Sequence, residues 1–313
     1  MSALPAFPAR MRKPLALRRG ERVGLIAPAA PVTDDEIVQS AARVRSLGVE
    51  PVVGRHAAAR RGYLAGSDEE RADDFNCMAR DPSIRAIVAL RGGYGTMRIL
   101  EHVDYGAIAA DPKIVLGFSD VTALLDAVAQ RSAVITFHGP VAREEYFDEV
   151  ARSYVERACM SLEPIGTLAA LAATTVRGGS ARGRIAGGNL SIVASLLGSP
   201  WAPALREALL LLEDVDEEPY RIDRMLTQLR LAGAIEAARG VIVGGLTRCE
   251  PKADSQGTAE DVVAERLSGW DRPVLCGIPS GHVPHQWVLP IGLEATLDAD
   301  ARTLTFSEPA VRA

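Results

Sequence analysis

The chain is poor in the residues that mark several common protein classes. Only four cysteines occur, Cys77, Cys159, Cys249 and Cys276, far apart and without CxxC spacing, so neither a zinc cluster nor a disulfide framework is expected. No stretch approaches the roughly 20 consecutive apolar residues that a membrane-spanning helix needs. Met1 to Arg19 lacks the continuous apolar stretch and small-residue cleavage site of a signal peptide, and with reduced thiols this predicts a cytoplasmic location. Acidic residues outnumber basic ones, 40 to 35, and a net charge of -5 gives no electrostatic reason to gather on nucleic acid. Aromatic residues make up only 5% and form no obvious cluster for stacking a base.

What is present is ordinary globular material, 313 residues with 48% hydrophobic and 24% charged, enough for two parts with sizeable cores. The apolar run RVGLIA stops at Pro28, and a helix follows in which Thr33 and Glu36 form a capping box and Gly48 closes the pattern. The alternation continues with strands at VEPVVG, Ile84 to Leu90, Lys113 to Gly117 and AVITF, and helices from Asp68 and from Val121. Such alternation predicts an α/β fold with a parallel sheet flanked by helices, its ligands outside the carboxyl ends of the strands. The pattern loosens between Tyr154 and Arg182. We therefore expect an N-terminal domain over 1–160, a linker over 161–180 and a smaller, mixed, β-rich domain over 181–313. The second contains the strands ALLLLEDV and GVIVGG, a helix across Arg221 to Leu231 and a hairpin turning at Asp298 to Ala301.

The sharpest chemical signal is KIVLGFSDVTALLDAV, where a strand meets a helix at Ser119. A nucleophile elbow needs a small residue before the serine, and Gly117 provides it, although Val121 occupies the second glycine position of GxSxG. The Asp120 N–H at the helix start is a natural oxyanion donor. A helix cap at Ser119 or Asp120 is the plainer alternative. In ALRGGYGTMRIL a strand runs into a glycine-rich turn from which Gly93 can supply a second donor, though a tight turn alone would also require these glycines. A serine base must come from five histidines, of which His282, in GIPSGHVPHQWVLPIG, and His138, in TFHGP, carry most weight. Glu213, at the end of a buried strand, is the carboxylate placed to orient a base. Asp214, Asp216, Glu217 and Glu218 read as a solvated acidic loop.

RGGYG at 91–95, GFSD at 117–120, FHGP at 137–140, GGNL at 187–190, LLEDVDEEPYRIDRML at 211–226 and IPSGH at 278–282 together resemble the L,D-carboxypeptidase family over nearly the whole chain. The resemblance implies a class I glutamine amidotransferase-like first domain with a nucleophile elbow, and a second domain carrying the acid and base. It implies a triad of Ser119, Glu213 and His282, with Glu217 the alternative acid, and Gly93 and Asp120 as backbone oxyanion donors. It also implies a homodimer that needs no metal or cofactor and removes the terminal D-alanine of murein tetrapeptides. A sister branch, the microcin C immunity peptidases, cleaves peptidyl or aminoacyl nucleotides instead. A carboxypeptidase needs a partner for the free carboxylate of its small peptide substrate, and Arg91, Arg98 and Arg221 are candidates. The rival from another class is an anion-binding module without catalysis.

Overall fold

The computed structural model describes residues 4–143, 146–252 and 257–313. Strands β1 (Arg22–Ile26), β2 (Glu50–Val53), β3 (Ile84–Ala89), β4 (Ile114–Gly117) and β5 (Thr136–His138) alternate with helices α1 (Asp34–Arg45), α2 (Asp68–Arg80), α3 (Thr96–Ile99), α4 (Tyr105–Ala110) and α5 (Thr122–Ser132). These strands pair in parallel, as crossover helices require. Thr33 with Glu36, and Ser67 with Glu70, start α1 and α2 with capping boxes.

The chain continues through α6 (Glu149–Cys159), β6 (Gly166–Ala169), β7 (Thr174–Arg177), β8 (Ser180–Asn189), α7 (Leu190–Leu196), β9 (Ala208–Val215), α8 (Pro219–Leu231) and α9 (Ala234–Ala237). It ends with β10 (Gly240–Thr247), α10 (Ala259–Leu267), β11 (Val274–Cys276), β12 (Leu289–Ile291), β13 (Glu294–Asp298) and β14 (Thr303–Phe306). The first sheet has six strands in the order β12-β5-β4-β3-β1-β2, and the second has eight, β6-β14-β13-β8-β9-β10-β11-β7. In the second sheet β8, β9, β10 and β11 run parallel while the outer strands pair antiparallel, which gives the expected mixed, β-rich character. Among the described residues no helix is long and apolar enough to cross a membrane.

Two expectations about the chain's division change. Residues 161–180 are not a plain linker, because β6 and β7 lie there and pair at opposite margins of the second sheet. Their short runs, GTLA and TTVR, show only weak alternation, and long-range pairing rather than local pattern holds them. Likewise β12 lies far along the chain yet pairs antiparallel with β5 at the edge of the first sheet. The second sheet carries more strands than the first.

The largest buried apolar cluster draws side chains from both sheets, including Leu116 and Phe137 from the first and Ile185, Leu209 and Leu297 from the second. Helix α5 is the polar seam between them. Thr122 Oγ1 accepts from the Asn189 N–H at 3.0 Å, and Asp126 Oδ1 from the Gly187 N–H at 3.3 Å. The carboxyl ends of β3, β4 and β5 and those of β8, β9 and β11 come together there, where α/β sheets place their ligands.

Burial pushes the Asp126 carboxyl up to about 8, against the opposing donation from Gly187. The folded chain therefore binds this proton more tightly than the unfolded chain, so its contribution to stability is full at low pH. That contribution declines as pH rises from the ordinary carboxylate range to about 8. Asp126→Asn is expected to match the wild-type Tm near pH 4 and to exceed it at pH 8, as thermal unfolding at both values will check; a pH-independent difference would contradict this.

Candidate active site

At the end of β4 the chain turns through Phe118 into a short 3-10 turn, Ser119–Val121, ahead of α5. Ser119 adopts φ 63°, a left-handed conformation that costs a residue with a Cβ about 1–2 kcal/mol. Such strain persists where surrounding structure imposes it. The turn leaves no room for a side chain just before it: a Cβ on Gly117 would lie 2.8 Å from Val121 Cγ1 and 3.2 Å from Ala89 Cβ. The Asp120 N–H stands in the open first turn, where backbone donors have no intrahelical partner.

Every residue of β9 from Ala208 to Asp214 is buried, and Glu213 has no exposed side-chain surface. His282 comes from loop 277–288, between β11 and β12, and its side chain is 8% exposed. Its Nδ1 lies 2.8 Å from Glu213 Oε2, and its Nε2 lies 3.1 Å from Ser119 Oγ. An ionised carboxylate only accepts, so Nδ1 carries the proton toward Glu213 and Nε2 is left to accept from the Ser119 hydroxyl. Three side chains from distant parts of the sequence thus form one hydrogen-bonded chain. Leaving a buried acceptor such as the Glu213 carboxylate without its donor costs at least about 1–3 kcal/mol.

The alternatives separate by distance. Glu217 lies 3.7 Å from Arg221 in an ion pair, leaving Glu213 as the acid that bonds His282. His138 is fully buried with Nδ1 3.4 Å from Ser280 Oγ, and burial lowers it to about 4, so its ring is neutral. Asp120 points away from the serine, its Oδ2 accepting from the Thr96 N–H at 2.8 Å, and desolvation raises its carboxyl. Burial raises the neighbouring Asp214 to about 6, while Asn189, Ser191 and Val215 donate to it. It is a structural acid rather than part of the solvated loop expected there.

Sequence reasoning missed several neighbours. Gly92 faces the serine: a Cβ there would lie 2.9 Å from Ser119 Cβ and 3.0 Å from its Oγ. Next to it Gly93, which the sequence did single out, has φ 114° and turns the chain against Ala30. The rings of Phe118 and Tyr146 pack edge-on to the His282 imidazole, with centroids 4.8 and 5.9 Å away. Of the arginines, Arg98 is bound to Asp68 at 2.8 Å and Arg221 to Glu217, whereas the Arg91 guanidinium donates to the Pro31 carbonyl at 3.2 Å. Among the described residues no group of three or more His, Cys, Asp or Glu side chains could hold a metal ion.

Comparison with known proteins agrees with this two-sheet fold. A model of the LD-carboxypeptidase N-terminal domain matches residues 23–139, and one of the LD-carboxypeptidase C-terminal domain matches residues 182–297. The chain belongs to the LD-carboxypeptidase family. The probable murein peptide carboxypeptidase of Bacillus subtilis is 36% identical over 93% of this chain and 93% of its own length. The murein tetrapeptide carboxypeptidase of Pseudomonas aeruginosa is 34% identical over 89% of this chain and 94% of its own. Among solved structures, the microcin C7 self-immunity protein MccF superposes with a TM-score of 0.87 at 24% identity, covering 96% of this chain and all of that one, a likeness of fold.

Gly281 gives this site a sharp geometric test. At φ 93°, a Cβ there would lie 2.6 Å from both Cβ and Cγ of Glu213. Gly281→Ala is expected to abolish the low-field proton NMR signal of His282 Nδ1–H bonded to Glu213. Gly233→Ala, at a φ of 75° with no heavy atom within 4 Å of the added Cβ, should retain it. Persistence of the signal in Gly281→Ala would show that Glu213 is not constrained by this glycine.

Proposed function

We propose that the chain is a serine carboxypeptidase that hydrolyses the L,D bond releasing the terminal D-alanine of murein tetrapeptides. The observation that carries this reading is the unbroken path from Glu213 Oε2 through His282 to Ser119 Oγ, with contacts of 2.8 and 3.1 Å. In it the strained turn at Ser119 acts as a nucleophile elbow, lifting the hydroxyl into the site. His282 takes the hydroxyl proton as Ser119 attacks the scissile carbonyl, Glu213 stabilises the imidazolium, and the N–H groups of Asp120 and Gly93 receive the oxyanion. His282 then protonates the departing D-amino acid, and water resolves the acyl-enzyme by the reverse path. The substrate class is supported by two relatives named for murein peptides at 36% and 34% identity.

A second reading, cleavage of a peptidyl or aminoacyl nucleotide, is favoured by the fold-level likeness to MccF. Lower identity makes it the weaker of the two. Incubation with murein tetrapeptide, read by mass spectrometry, is expected to release D-alanine, and a peptidyl nucleotide is expected to survive. Ser119→Ala should lower turnover by at least about a thousandfold, and Glu213→Gln by a comparable factor. Near-normal turnover in Ser119→Ala would refute the nucleophile. Tight binding without product would instead indicate an anion-binding module.

A further inference from the structure

His282 has to hold its ring against a serine that belongs to the other sheet. Its own backbone is tied to the second sheet: the Gly277 and Ile278 N–H groups donate to the Val243 carbonyl, the Gly245 N–H to Ser280 O, and Thr247 Oγ1 to His282 O at 2.7 Å. None of these bonds fixes the distance to Ser119. Among the contacts that reach the loop from the side of the first sheet, two come from residues 146–148. Asp148 Oδ2 accepts from both the backbone N–H of His285, at 2.8 Å, and its Nδ1, at 3.0 Å. Two residues earlier, the Tyr146 ring meets the His282 imidazole edge-on and also packs on Phe118, at 4.9 Å, beside the serine.

We propose that residues 146–148 form a clasp that positions His282 from the side of the first sheet, with Asp148 and His285 as positioning residues outside the reacting groups. This rests on the reading of Ser119 and His282 as nucleophile and base. The two carboxylate oxygens of Asp148 have separate tasks, since Oδ1 caps α6 by accepting from the Ala151 N–H at 2.8 Å. Asparagine is as good a helix cap as aspartate, but its single carbonyl oxygen cannot also serve His285. Asp148→Asn therefore opens the clasp and keeps the helix. The His285 side chain is 63% exposed, and a polar contact so placed adds little to global stability, so the effect falls on loop position. His285 also has φ 58°, which glycine adopts without strain, so His285→Gly removes the ring contact and keeps the backbone bond.

The test is steady-state hydrolysis of murein tetrapeptide by wild type, Asp148→Asn and His285→Gly, with thermal unfolding of each. A misplaced base should lower kcat about tenfold in Asp148→Asn, with KM held within about twofold. A smaller fall is expected in His285→Gly, and Tm should change little in either. Unchanged kcat in both variants, or a fall that follows a collapse in Tm or a rise in KM, overturns the clasp while leaving the triad intact. Should Asp148→Asn not fold, His285→Gly decides. Absence of turnover in the wild type would overturn the reading of the site, and the positioning role with it.

Discussion

The bond between Glu213 and His282 is the constraint around which the molecule is arranged. A carboxylate with no exposed surface is costly unless its partner is held in good geometry. That partner reaches it from a loop anchored in one sheet, while the imidazole's other nitrogen must meet a serine at the end of a strand in the other. The two sheets therefore need a fixed mutual placement. The shared apolar cluster, the seam along α5 and the antiparallel pairing of β12 with β5 all supply it.

Much of this was legible in the sequence because it depends on local chemistry. The capping box at Thr33, the strands that carry Gly117 and Glu213, and the hairpin of β13 and β14 each follow from a short pattern with a direct physical cause. Gly117 announces a close approach, and the left-handed turn at Ser119 is that approach carried out. Glu213 stood out because a run of leucines leads into it. The family resemblance then joined Ser119, Glu213 and His282, whose separations in sequence say nothing about distance in space.

What escaped the reading is non-local. β6 and β7 are held by strands far away in the chain, and β12 is too short to declare which sheet it joins. Asp214 looks like one more acid in an acidic stretch until its donors from β8 and α7 are seen. Tyr146 and Asp148 lie in a connection without periodicity, and their importance comes from what the other end of the chain brings against them. Pairwise chemistry between remote segments leaves no mark in either segment alone.

The crossing of β12 into the first sheet bears on how such a protein can diversify. Because the strand after the histidine loop completes the sheet that bears the serine, the halves are not interchangeable cassettes. A recombinant joining the front of one relative to the back of another would import a foreign margin for its front sheet along with the new histidine loop. Inheritance of this architecture is accordingly expected to favour gradual change at the site over exchange of whole modules.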